Sequence, residues 1–329
     1  MLNESSEDLQ LDEAAIAAFA EQLIPSAVQS SAVYVRLPIR FDSAQAEVNY
    51  LVLFHLLDFG SGFDALLLQK ARRDAHEVIQ FGLLGMLMSD VRLDHHFLRE
   101  FSSFQVFSYF NVDASEEQQV MPGITMTRTG PLGDFTQLIK DTMNETGRIL
   151  GGTGCRDLGE FVMSFVDSRR ALGEAPSAAA LIEKLAATFP GYDDRAECGG
   201  LQVSFYRKAQ ALAAQLCLRF GKEDERFAFQ DVSSLAVDSG NVVPAMLRHH
   251  GILRYSDAMA SVVDAGEDLY GVPKEAVLRA ATVEAGARIC KAAGTVFEPY
   301  QLSQYLLMGL ARPEYKDLKK HVAKGTVAY

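Results

Sequence analysis

Residues 201–220, LQVSFYRKAQALAAQLCLRF, follow the pair Gly199-Gly200 and carry the pattern that decides the fold class. Ala209, Leu212, Ala213, Leu216 and Phe220 recur at steps of three and four and so fall on one face of a helix. Ser204, Lys208, Gln215 and Arg219 fall on the other face, with the glycine pair as the turn that leads in.

Working outward, the same helical period returns almost everywhere. Residues 12–24 open with acids and run Ala-rich to Pro25, which predicts a first helix that stops there. AVYVRLPI, from Ala32, is β-branched and reads as a strand or an extended connector. Asp42 and Ser43 offer an N-cap to a helix over 44–58 that two glycines break at FGSGF. Residues 75–90 and 97–110 read as apolar helices, the second carrying an aromatic stripe assigned to the core. A loop with Pro122 and Gly123 leads into a helix ending at Gly151-Gly152. Ser177 caps 177–188, and helices around 243–250, 257–264, 273–293 and 299–311 complete the chain. The expectation is an all-α protein with at most minor β-structure, a single domain over 1–329 with an N-terminal helix region at 1–25.

At 329 residues, 48% hydrophobic and 22% charged, the chain is globular and long enough to bury a large core. Its net charge of -12 argues against tracking a polyanion, because phosphate neutralisation by Lys and Arg dominates nucleic-acid affinity. A small anionic ligand needs only two or three local cations. The acidic, polar start MLNESSEDLQLDE does not read as a targeting segment, and runs such as LLGMLM are too short to span a bilayer. A cytoplasmic protein without membrane contact is therefore expected. Four scattered cysteines contain no CxxC pair, and the adjacent histidines at 95–96 and 249–250 point in different directions on a helix, so no metal and no cofactor is expected.

Six strings occur in one order: NETGRIL at 144–150, FPGYDD at 189–194, VSFYRKAQ at 203–210, FQDVSS at 229–234, NVVPAMLRHHGILRYSD at 241–257 and YGVPKEAVLRA at 270–280. Together they resemble the queuosine salvage family, the queuosine 5′-phosphate N-glycosylase/hydrolase proteins, most closely over about 141–280. The resemblance implies an all-α architecture like that of helical DNA glycosylases. It also implies hydrolysis of the N-glycosidic bond of queuosine 5′-monophosphate, releasing queuine for reinsertion into tRNA. The alternatives are another modified nucleoside 5′-phosphate as substrate, or a member that binds the nucleotide without turnover.

The acid of the family's FxDISS string is its catalytic carboxylate, and it falls on Asp231, whose other reading is a helix or turn cap. A carboxylate beside the anomeric carbon suits the chemistry, because losing the base develops an oxocarbenium-like charge on the sugar. The family carries a further acid directly before the position of Asn241, where this chain has Gly240. Asp238, two residues earlier, either substitutes through a shifted turn or leaves that contact missing. In place of the family's LNFxFW stands Leu57-Asp58-Phe59-Gly60-Ser61-Gly62-Phe63, so that Phe59 keeps a stacking ring and Asp58 can accept hydrogen bonds from a guanine-like edge. The altered string also leaves room for a different base. Tyr206, Arg207 and Lys208 are the phosphate candidates, with Lys208 otherwise a solvated lysine. His249 matches the family histidine ahead of Gly251, and Tyr255 and Asp257 match its YSD, which otherwise makes a turn and a cap.

Overall fold

The structure, a computed structural model, describes residues 8–32, 39–198 and 200–329. From the N-terminus come β1 (Leu9–Leu11), α1 (Glu13–Gln22), α2 (Pro25–Ser31), α3 (Ala44–Leu57), α4 (Asp64–Lys70), α5 (Ala75–Met88), α6 (His95–Arg99) and α7 (Ser103–Phe110). The strands β2 (Ser115–Met121) and β3 (Ile124–Thr129) precede α8 (Gly133–Thr153), α9 (Leu158–Ala171) and α10 (Ala178–Thr188). There follow β4 (Arg195–Cys198), β5 (Leu201–Ser204), α11 (Arg207–Phe220), α12 (Val242–His249), β6 (Leu253–Tyr255), α13 (Asp257–Ala265), α14 (Pro273–Ala292) and α15 (Pro299–Gly309). The fold is all-α, and among the described residues the strands form three two-stranded antiparallel ribbons, β1–β6, β2–β3 and β4–β5.

Side-chain caps set many of the helix starts. Asp12, Ser43, Asp94 and Ser256 each accept a hydrogen bond from the amide three residues on. Asp74 with Glu77, and Ser102 with Gln105, close reciprocal capping boxes.

Several expectations change. The first helix stops ahead of Pro25, at Gln22, but Pro25 then opens a further helix, α2, at the first helical position where no amide hydrogen is needed. AVYVRLPI lies almost wholly outside the described residues. The loop around Pro122-Gly123 is the turn of a β-hairpin whose residues are exposed on both faces, so no apolar alternation announces it. The aromatic stripe at 97–110 is two helices, because Ser102 starts α7 afresh. Phe101 and Phe110 are buried, whereas Phe104 and Phe107 are exposed. Helix α8 continues through Gly151-Gly152 to Thr153 and ends on the left-handed Gly154. Residues 201–204 are strand β5 and not helix, and α11 begins only at Arg207.

The chain divides into two compact units. The first comprises Met1–Ile39, Ser168–Lys184 and Asp194–Ala323. Its core packs Ile16 and Phe19 of α1 with Val243 and Met246 of α12, Leu278, Ala285 and Ile289 of α14, and Leu302 and Leu306 of α15. The second comprises Arg40–Asp167, Leu185–Asp193 and Lys324–Tyr329. Within it Phe63 packs on Phe135, and Phe161 meets Phe189 edge to face at 5.0 Å. The Tyr192 hydroxyl donates to the Val52 carbonyl at 2.6 Å. Among the described residues no single helix is long and apolar enough to cross a membrane.

Candidate functional site

In the first unit, residues from four segments converge on a cluster of charges. Strand β4 begins beside Asp194, whose backbone carbonyl accepts from the amides of Phe205 and Tyr206. Its carboxylate accepts from the Arg207 amide at 3.1 Å, so Asp194 supplies an acceptor to the first turn of α11. Tyr206 itself sits in the left-handed region at φ 47°. Arg279, on α14, closes on Asp194 with both ends of its fork, Nη1 to Oδ1 at 2.8 Å and Nη2 to Oδ2 at 2.5 Å. The two side chains are 3% and 4% exposed.

The loop from Asp231 to Asn241 completes the cluster. Arg279 Nε donates to the Ser239 carbonyl at 2.9 Å. The carboxylate of Asp238 accepts from Arg207 Nε at 2.8 Å and from the Gly240 amide at 2.8 Å. The Asp238 amide donates to the Ser303 hydroxyl at 2.6 Å. Buried Asn241 donates to the His321 carbonyl at 3.1 Å. The His321 ring is fully enclosed, and burial, with the nearby Arg279 charge behind it, pulls its pKa down to about 3.

Asp231, at the start of that loop, has other partners. Its Oδ2 accepts from the Ser177 hydroxyl at 2.7 Å and the Ala179 amide at 3.0 Å, and its Oδ1 from the Ala178 amide at 2.6 Å. Both oxygens thus serve the N-terminus of α10, the capping arrangement that the sequence left as the alternative. Burial pushes its pKa up, but the donors from Ala179, Ser177 and Ala178 outweigh that and hold it below the usual aspartate value. The charge of Asp231 also acts on Cys217, which burial is already pushing up. Cys217 and Arg207 are ten residues apart on α11, about 15 Å at 1.5 Å per residue. Asp231 thus bonds to the start of α10, whereas Asp238 bonds to Arg207 at the start of α11.

The remaining candidates are dispersed. Lys208 is 1% exposed, so it is not the solvated lysine that its place on the polar face predicted. His249 is exposed at the end of α12 and meets the Tyr315 ring edge to face at 5.4 Å. Ser256 of the YSD string caps α13, with Tyr255 on β6 and Asp257 as its first helical residue. Asp58 and Phe59 belong to the second unit, where Asp58 bonds His76 Nδ1 at 2.8 Å and Phe59 is 2% exposed. Among the described residues no group of three or more His, Cys, Asp or Glu side chains could hold a metal ion.

Sequence reasoning did not single out Asp194 and Arg279. Both lie inside quoted strings, FPGYDD and YGVPKEAVLRA, and an acid and an arginine there were the available signal.

An all-α chain with a buried Asp–Arg pair beside a half-buried Asp–Arg pair defines a helical protein with an enclosed ionic centre. Residues 94–306 match the model of the family described as queuosine salvage protein, and the chain belongs to that family. It is 32% identical over 212 residues to a Sphaerobacter thermophilus protein named queuosine 5′-phosphate N-glycosylase/hydrolase, a match covering 60% of this chain and 65% of that one. Proteins of the same name from Mus musculus and Bos taurus are 35% and 32% identical over 136 and 143 residues. Those stretches are 41% and 43% of this chain and 39% of each relative.

Proposed function

We propose that the protein hydrolyses the N-glycosidic bond of queuosine 5′-monophosphate, with Asp238 as the carboxylate at the sugar. The observation that carries the activity is the family match over 94–306, together with the name its relatives bear. In the reaction the bond from C1′ to the base nitrogen breaks and its electrons leave with the base. A water oxygen bonds to C1′, one water proton passes to the carboxylate and on to solvent, and the departing base nitrogen takes a proton from solvent in exchange. The products are queuine and ribose 5-phosphate. A fixed negative charge beside C1′ stabilises the oxocarbenium-like transition state and is worth about 3 kcal/mol or more of barrier.

Asp238 is favoured over Asp231 by what each carboxylate touches. Asp231 is committed to three donors at a helix end. Asp238 folds forward onto the amide of Gly240, the position at which the family resemblance expects an acid. The N–Cα bond is about 1.5 Å, so this oxygen lies within roughly 4.3 Å of the Gly240 Cα, comparable to the reach of an aspartate side chain from its own Cα. That reach supports reading the shifted turn as the substitute for the acid that residue 240 lacks.

A second reading, nucleotide binding without turnover, is favoured by that same glycine. The test is to incubate the protein with queuosine 5′-monophosphate and with queuosine, following free queuine by mass spectrometry and the melting temperature alongside. Release from the phosphate in preference to the nucleoside is expected. A raised melting temperature without release would establish the binding reading instead.

A further inference from the structure

We propose that Arg279 and Asp194 are a positioning pair that sets the carboxylate of Asp238, an inference that rests on the catalytic role assigned to Asp238 above. The pair grips the Arg207–Asp238 contact from both sides. On the loop side, Arg279 Nε holds the carbonyl of Ser239, the residue adjoining Asp238. On the helix side, Asp194 holds the backbone amide of Arg207, whose side chain meets Asp238. The guanidinium also lies over the Phe205 ring at 4.1 Å, and Glu275, one turn earlier on α14, approaches it at 3.6 Å. Nε serves the loop, the Nη1 and Nη2 end serves Asp194, and the flat face covers Phe205, so one rigid planar group fixes the loop and the start of α11 in a single frame.

Stability alone does not account for such a device. A fully enclosed ion pair gains little over well-packed apolar side chains of the same volume, because desolvation offsets the attraction. What this pair adds is direction. Three donors of one arginine place a loop carbonyl and an acid that itself orients a helix start.

The test is a double-mutant cycle between Arg279→Lys and Asp238→Asn, reading kcat, KM and melting temperature with queuosine 5′-monophosphate. Lysine keeps the charge facing Asp194 but loses the fork and the Nε bond to Ser239. Arg279→Lys alone is expected to lower kcat by about a hundredfold, the scale of a small misplacement of a reacting group, with KM nearly unchanged. On the Asp238→Asn background it is expected to cost almost nothing further. An equal fall on both backgrounds, or an unchanged kcat with only a lower melting temperature, overturns the proposal. Should Arg279→Lys fail to fold, the double variant Asp194→Leu/Arg279→Met removes both charges together and takes its place in the cycle. Wild type that releases no queuine defeats the reading beneath the proposal and the proposal with it. A wild type that works and a cycle without coupling defeat the positioning pair alone.

Discussion

Asp231 and Asp238 stand seven positions apart in one weakly polar run, and their partners separate them. The partners of Asp231 are at 177–179, more than fifty residues earlier, so no local pattern could have shown that both its oxygens serve α10. Replacing it by alanine should cost about 1 kcal/mol or more of stability, and Asp231→Asn, which sets an amide donor against a backbone N–H, should cost a comparable amount; urea unfolding measures both. Lys208 was equally opaque, since helical periodicity assigns a face of α11 and not what covers that face. His321 makes a pH prediction. Its folded pKa of about 3 lies below the ordinary histidine value, so the unfolded chain binds the extra proton first as pH falls. Neutral His321 therefore carries no penalty above about pH 6.5, and stability should fall by about 1.4 kcal/mol per unit as pH drops from there towards 3. Urea titrations at pH 7, 6 and 5 should show that slope, and His321→Gln should flatten it.

At the scale of elements, the helices were largely legible because caps and the 3.6-residue period are local. The strands were not. The β2–β3 ribbon lacks the alternation of a half-buried strand, and β5 reads as a continuation of the helix that follows it. Because nearly all of β2–β3 is exposed, replacing residues 116–128 by a short turn should leave the thermal midpoint within about 2 °C of the original. The NETG string marks the opposite case. Its Asn144 donates to the carbonyls of Leu98 and Phe101 at 3.0 Å each, satisfying the end of α6. Its Gly147 lets that helix approach so closely that an added Cβ would stand 2.3 Å from the Arg99 nitrogen. Gly147→Ala should accordingly destabilise by about 2 kcal/mol or more, because the obstacle is backbone. Within a string that resembles a catalytic family, these two residues are scaffold.

At the scale of the whole molecule, no linker composition marks the two units, because two of their boundaries fall inside helices α9 and α10. Family membership was legible through the order of six strings, and the matched range 94–306 extends beyond the 141–280 that carries them most densely. What the strings could not convey was which acid lies in the ionic centre, since that depends on a turn of one loop and a fork from a distant helix. The net charge of -12 adds a further expectation: queuine should be released from the mononucleotide but not from intact queuosine-containing tRNA, assayed by the same mass spectrometry. The most direct measurement is queuine release from queuosine 5′-monophosphate by wild type, Asp238→Asn and Asp231→Asn, each checked for an intact fold by thermal melting. The account predicts that Asp238→Asn loses about a hundredfold or more in rate while Asp231→Asn keeps nearly all of it. A folded Asp231→Asn that releases nothing, beside an active Asp238→Asn, would contradict it and return the chemistry to the acid at the end of α10.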